Sequence, residues 1–212
     1  TDAVAKQADA MQTLVTQPSQ GVDGRLASYA LYLDNTGQLS AGETAWRAAA
    51  AQAGSDSALA SAPASLLAQA ALDRALAESC DDALRLANEA GGMARGPVAS
   101  FNAGVAAALC GDKPYAEKTI AELQQNFPHN VAVAQYYAPE LEAAADIGIN
   151  EPAPALQLLV GLGEYDQISL APYLRGLAHA AVGQMPVAIN DFQAVLNHRG
   201  VEPEIGLHLG ID

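Results

Sequence analysis

Basic side chains are scarce in this chain: 10 Lys and Arg stand against 24 Asp and Glu, a formal charge of −14. With no basic stripe to neutralise phosphates, nucleic acid is not an expected partner. Anionic membrane surfaces should repel the chain for the same reason. A basic peptide or protein is the partner such a field attracts, although acidity by itself also serves solubility. Aromatic residues make up only 5%, which argues against an all-β fold, where aromatic and β-branched side chains are enriched. Only 16% of residues are charged while half are apolar, so alanine must cover much of the surface. No apolar run is long enough to span a bilayer. Two cysteines, Cys80 and Cys110, are too few for a disulfide framework and lack the CxxC spacing of a metal or redox site. Each falls beside a predicted turn. Free, partly buried thiols are the expected state, with one bridge between stacked turns as the alternative.

The signatures of chemistry are equally sparse. Four histidines (His129, His179, His198, His208) are scattered, without HExxH or any paired ligand spacing. Asp34-Asn35-Thr36-Gly37 lacks the alternating ligands and terminal Glu of a calcium loop. Gly91-Gly92-Met93-Ala94-Arg95-Gly96 has neither the strand before it nor the Lys-Ser/Thr after it that a phosphate loop needs. No GxSxG elbow is present, and the carboxylate neighbours Asp81-Asp82 and Glu140 with Glu142 face no partner that the sequence establishes. Neither a metal, a cofactor nor a catalytic centre is expected. His179 reads as a packing or groove residue.

What the chain does have is periodic alanine. Ala83, Ala116, Ala155 and Ala188 recur at steps of 33, 39 and 33 residues, each shortly after a turn signal. Gly104 and Gly176 each lie 12 residues before one of them. A period of this length marks helix pairs that bury their apolar faces by stacking on neighbours. The helix pairs are predicted near 25–53, 63–92, 97–127, 131–163 and 169–199. A further helix is expected at 3–16, and Pro203 reads as the start of a sixth pair, so both ends resemble cuts from a longer polypeptide. Ser40 with Glu43 suggests a capping box, and Asp81 or Asp82 an N-cap. Gly91-Gly92 should stop the helix before them. Pro139 should kink or restart the 131–147 helix. The fold class is therefore all-α, a right-handed α-solenoid of about five hairpins, with the whole chain forming one array.

The spacing resembles the tetratricopeptide repeat, which carries a small residue on its first helix, a glycine at the turn, an alanine on the second helix and a proline at the end. Residues 97–128 supply Gly104, Gly111, Ala116 and Pro128, and residues 169–202 supply Gly176, Gly183, Ala188 and the aromatic Phe192. Ala71 with Ala83, and Ala143 with Ala155, mark more degenerate units, the latter with Asn150 at its turn. Small residues at these crossings let two backbones approach. The segments Ala171-Pro-Tyr-Leu-Arg-Gly-Leu-Ala and Ala188-Ile-Asn-Asp-Phe-Gln-Ala-Val-Leu-Asn-His-Arg-Gly-Val are also similar to the C-terminal repeat region of acidobacterial-type serine/threonine protein kinases. Asp166-Gln-Ile-Ser-Leu-Ala-Pro-Tyr and Phe101-Asn-Ala-Gly-Val-Ala-Ala-Ala-Leu-Cys-Gly-Asp extend that likeness. The resemblance implies a kinase domain and a membrane span ahead of these residues, with the repeats outside the cytoplasm, where Cys80–Cys110 pairing becomes more plausible. None of the kinase motifs themselves is present.

From the repeat resemblance, the first helix of each pair would line a concave peptide-binding groove. The matched positions are Phe101, Asn102 and Val105, then Tyr136 and Tyr137, then Tyr173, Leu174 and Leu177. Gly104, Ala116, Ala155, Gly176 and Ala188 would serve packing between helices. The expected role is a non-catalytic protein- or peptide-binding scaffold, the sensory or docking region of a signalling kinase. The alternative is an oligomerisation module that brings tethered domains together.

Overall fold

A computed structural model describes residues 24–56, 59–94, 96–160, 162 and 170–197. Among them are ten α-helices and no strand. They are α1 (Arg25–Asn35), α2 (Leu39–Gly54), α3 (Ala62–Leu76), α4 (Cys80–Met93), α5 (Pro97–Leu109), α6 (Lys113–Asn126), α7 (Ala138–Gly148), α8 (Pro152–Leu159), α9 (Ala171–Ala181) and α10 (Met185–Asn197). A π-helical turn, Val133–Tyr137, leads into α7. The all-helical expectation therefore holds. The helix expected at 3–16 and the start expected at Pro203 lie outside the described residues.

One turn geometry recurs five times. Gly37, Glu78, Gly111, Asn150 and Gly183 all have positive φ, between 59° and 84°. After each, the next amide reaches back to the helix just ended: Gln38 to Leu33, Ser79 to Arg74, Asp112 to Ala107, Glu151 to Asp146 and Gln184 to His179, at 2.7–3.0 Å. This left-handed cap satisfies carbonyls that the helix end would otherwise orphan. Only three of the five are glycine. Asn tolerates the conformation, whereas Glu78 adopts it at a cost of roughly 1 kcal/mol, at a turn where the sequence offers no glycine.

Across each turn the two flanking helices pack together: α1 with α2, α3 with α4, α5 with α6, α7 with α8, and α9 with α10. The second helix of one pair also packs on the first of the next, α2 on α3, α4 on α5, α6 on α7 and α8 on α9. First helices meet in sequence as well, α3 with α5, α5 with α7 and α7 with α9. Alanine makes this closeness attainable. Gly104 is pressed on two sides: an added Cβ would stand 2.6 Å from Leu141 Cδ2 on α7 and 3.0 Å from Thr119 Cγ2 on α6. At Gly176 the same atom would run into the Phe192 ring on α10. Ala116, Ala155 and Ala188 are completely buried.

Several local expectations are corrected. Helix α2 starts at Leu39, so Ser40 lies inside it and forms no capping box. Ser79 occupies the N-cap of α4, while Asp81 and Asp82 sit in its first turn, where carboxylates favour the helix dipole. Gly91 and Gly92 do not end α4, which continues to Met93. Gly91 leaves room for the Tyr115 side chain, whose hydroxyl donates to the Ala87 carbonyl at 2.9 Å. Pro139 does not restart the helix: residues 131–148 are helical without a break, and a π turn, Val133–Tyr137, precedes Pro139 in the first turn of α7.

Cys80 and Cys110 form a disulfide, with Cα atoms 5.4 Å apart. The expectation of free thiols is thus overturned. Cys80 opens α4 just after the Glu78 turn, and Cys110 closes α5 just before the Gly111 turn. Packing of α4 on α5 brings those two turns together.

Candidate functional site

Burial divides the eight expected groove residues. Phe101, Asn102, Val105, Tyr137 and Leu174 are buried, so they serve the interior and not an open groove. The cause is legible in α5 itself. Its thirteen residues carry no charge, and a helix apolar all round is enclosed on every side. It packs on α3, α4, α6 and α7 together. Phe101 stacks on Tyr137 with ring centroids 4.4 Å apart, and Tyr136 meets Tyr137 edge-on at 5.0 Å. Tyr136, Tyr173 and Leu177 remain half-buried and present surface to solvent.

Tyr173 packs against Phe192 of α10 at 6.0 Å. Burial raises its phenol above the ordinary tyrosine value, and the nearby charge of Glu78 adds to the shift. Glu78 belongs to the turn between α3 and α4, so that turn lies close enough to α9 for its carboxylate to be felt. A tyrosine of this kind offers a large apolar body and a polar tip, suited to peptide contact. Beside it, His179 Nδ1 lies 2.7 Å from Asp191 Oδ2, and Arg175 Nε donates to Asp191 Oδ1 at 3.1 Å. His179 is thereby a tie between α9 and α10. No group of His, Cys, Asp and Glu side chains suited to a metal occurs among the described residues.

A buried polar chain behind the first three pairs escaped the sequence reading. Arg74, only 1% exposed, donates to Asp34 Oδ1 at 2.9 Å and to the Leu39 carbonyl. The Trp46 indole donates to Asp34 Oδ2 at 2.8 Å. One residue earlier on α3, Asp73 Oδ1 accepts from Gln69 Nε2 at 2.9 Å. Gln69 in turn accepts from Asn102 Nδ2 at 3.3 Å. Burial pushes the Asp73 carboxyl up to about 7; the Gln69 bond opposes this, and the neighbouring Asp34 charge reinforces it. Asp73 Oδ2 has no hydrogen-bond acceptor or donor among the described groups. The available signal was a Gln69, Asp73 and Arg74 set inside an otherwise alanine- and leucine-rich helix. With Arg74 and Trp46 already engaged, the arrangement ties α1, α2, α3 and α5 together.

On the outer side, α2 and α4 are bridged by charge. Arg47 pairs with Glu89 at 2.9 Å and with Glu43 at 2.9 Å, and Arg85 pairs with Glu43 at 2.8 Å. These arginines hold the Glu43 and Glu89 carboxyls below their ordinary range, Arg85 acting most on Glu43 and Arg47 on Glu89. Such exposed pairs contribute about 0–1 kcal/mol each.

No known protein family, curated protein or solved structure matches this chain.

Proposed function

We propose that the chain is a right-handed α-solenoid of five hairpins, similar to tetratricopeptide repeats, that binds a protein or an extended peptide. The observation that carries this reading is the packing order. Each helix meets its turn partner, and each second helix from α2 to α8 meets the first helix of the next pair, as a one-dimensional stack requires. The five equivalent turns support the same reading. Stacks of this kind expose one face built from first helices, and here that face keeps Tyr136, Tyr173 and Leu177 accessible. A basic partner is favoured by the net charge of −14. Attachment to a serine/threonine kinase rests on the likeness of residues 97–202 alone.

The test is titration of the chain with a library of extended Lys/Arg-containing peptides, followed by fluorescence anisotropy. A binding peptide should lose at least tenfold in affinity on the Y136A/Y173A double substitution, and should weaken as salt rises. Affinity unchanged by that double substitution would place binding elsewhere and remove the groove assignment.

A further inference from the structure

The five left-handed turns differ in chemistry. Gly37, Gly111, Asn150 and Gly183 are residue types that accept a positive φ readily, but the turn between α3 and α4 holds Glu78 there at 59°. The turn itself gains nothing from a glutamate, since its return bond runs from the Ser79 amide to the Arg74 carbonyl. A strained residue where glycine would serve is the mark of a side chain with another task. That side chain is exposed, and its carboxylate makes no ion pair or hydrogen bond with any described residue. The apolar ground beside it is shared with α9. Leu76, two residues before Glu78, and Tyr173 pack against the same buried cluster, to which Leu72 of α3 and Leu174 of α9 belong. The Glu78 charge reaches the Tyr173 phenol, which burial raises first and that charge raises further. Tyr173 is half-buried, with the Phe192 ring 6.0 Å away on one side. A partly open phenol ring thus stands near an unpaired carboxylate from a turn three pairs earlier.

We propose that Glu78 and Tyr173 together form the seat for an arginine side chain of the bound peptide. This rests on the peptide-binding reading above and names the side chain that this part of the surface takes. A guanidinium satisfies both groups at once: its plane stacks on an aromatic ring while its N–H fork pairs with a carboxylate. Lysine offers a point charge without the plane, and gains less from the ring. An acidic side chain is repelled by Glu78 and by the chain's charge of −14. An apolar one leaves the carboxylate without a counter-charge. The nearest arginines of the chain are committed elsewhere. Arg74, at the end of α3, is held by Asp34 and the Leu39 carbonyl, and Arg175, two residues after Tyr173, is paired with Asp191. The place opposite Glu78 is therefore left for a cation from outside.

Nuclear magnetic resonance titration of the full chain, carrying isotope-labelled tyrosine rings, tests this. The probe is the blocked pentapeptide Ala-Ala-Arg-Ala-Ala, and its control has citrulline, the neutral isostere, in place of arginine. The Tyr173 ring signal, identified by its loss in Tyr173→Phe, should move with the arginine peptide and stay still with the citrulline one. Glu78→Gln should weaken arginine binding about fivefold. Glu78→Gly should weaken it as much and yet raise the urea midpoint, because the backbone strain is gone. Equal responses to arginine and citrulline, an affinity unchanged by Glu78→Gln, or a midpoint that falls in Glu78→Gly would each overturn the proposal. Failure of the wider reading looks different. If extended peptides lose affinity in Y136A/Y173A but keep it in Glu78→Gln, the groove stands and this seat alone is removed. If neither substitution alters their affinity, both are removed.

Discussion

Helices α5 and α10 are each thirteen residues long, yet they meet solvent in opposite ways. In α5, Ala99 and every residue from Phe101 to Ala108 are buried. Of α10 only Ala188 is buried, while Met185, Val187, Ile189, Val195 and Leu196 are between 40% and 59% exposed. Composition does not cause the contrast, since both are apolar. Position does: α5 has helices on all sides and α10 has α9 on one. On the proposed stacked reading, burial is a property of rank along the array as much as of sequence. The polar chain and the disulfide both lie on the enclosed side of that contrast, and substitutions there should cost far more than any on α10.

The sharpest way to break the contrast is Arg74→Met. It leaves the Asp34 carboxylate buried without its partner, a loss of about 3–5 kcal/mol, measured as a fall in the urea midpoint. The D34N/R74M double variant should recover much of it; equal destabilisation of both would show that the ion pair is not what matters. Next is Cys80→Ser with Cys110→Ser. Opening a bridge between residues 30 apart should remove about 3–4 kcal/mol by chain entropy, and dithiothreitol should lower the wild-type midpoint to match. A wild-type midpoint indifferent to reductant would mean that the bridge is not formed.

A further effect, spread over pH, concerns Asp73. Its folded-state value of about 7 lies above the ordinary 3.8. A raised value means stability that is fully present below the unfolded pKa and is lost as pH rises through the folded one. The chain should therefore weaken between about pH 4 and about pH 7, by up to about 1.4 kcal/mol per pH unit. Asp73→Asn should flatten that slope. Glu43, Asp82 and Glu89 act in the opposite sense: their values are lowered by arginine, so their contribution is present at neutral pH and fades in acid. A slope identical in Asp73→Asn and wild type would assign the effect to another group.

Much of the backbone plan was legible because it depends on local signals. Gly37, Gly111 and Gly183 announced their turns, Pro139 a departure from regular α-helix beside it, and the alanine period its close crossings. A turn before Ala83 was expected, but not the left-handed conformation of Glu78, because a glutamate owes that conformation to the helices it joins. The candidate groove failed at Phe101, Asn102, Val105, Tyr137 and Leu174 for a related reason. Helical spacing assigns a residue to a face, but only the neighbours decide whether that face is open. The Asp34–Arg74 pair and the cysteine bridge join residues 40 and 30 positions apart, and such pairings become visible only once α1, α3, α4 and α5 are in place.

The bridge has a consequence for how the molecule comes apart. On the proposed stacked reading, structure is lost by fraying inward, because terminal units have one neighbour instead of two. Cys80 and Cys110 tie α4 to α5. Unfolding of these two helices then gains less chain entropy than fraying elsewhere until the sulfurs part. Under oxidising conditions the last remnant to melt should be the covalent loop that holds these two helices together.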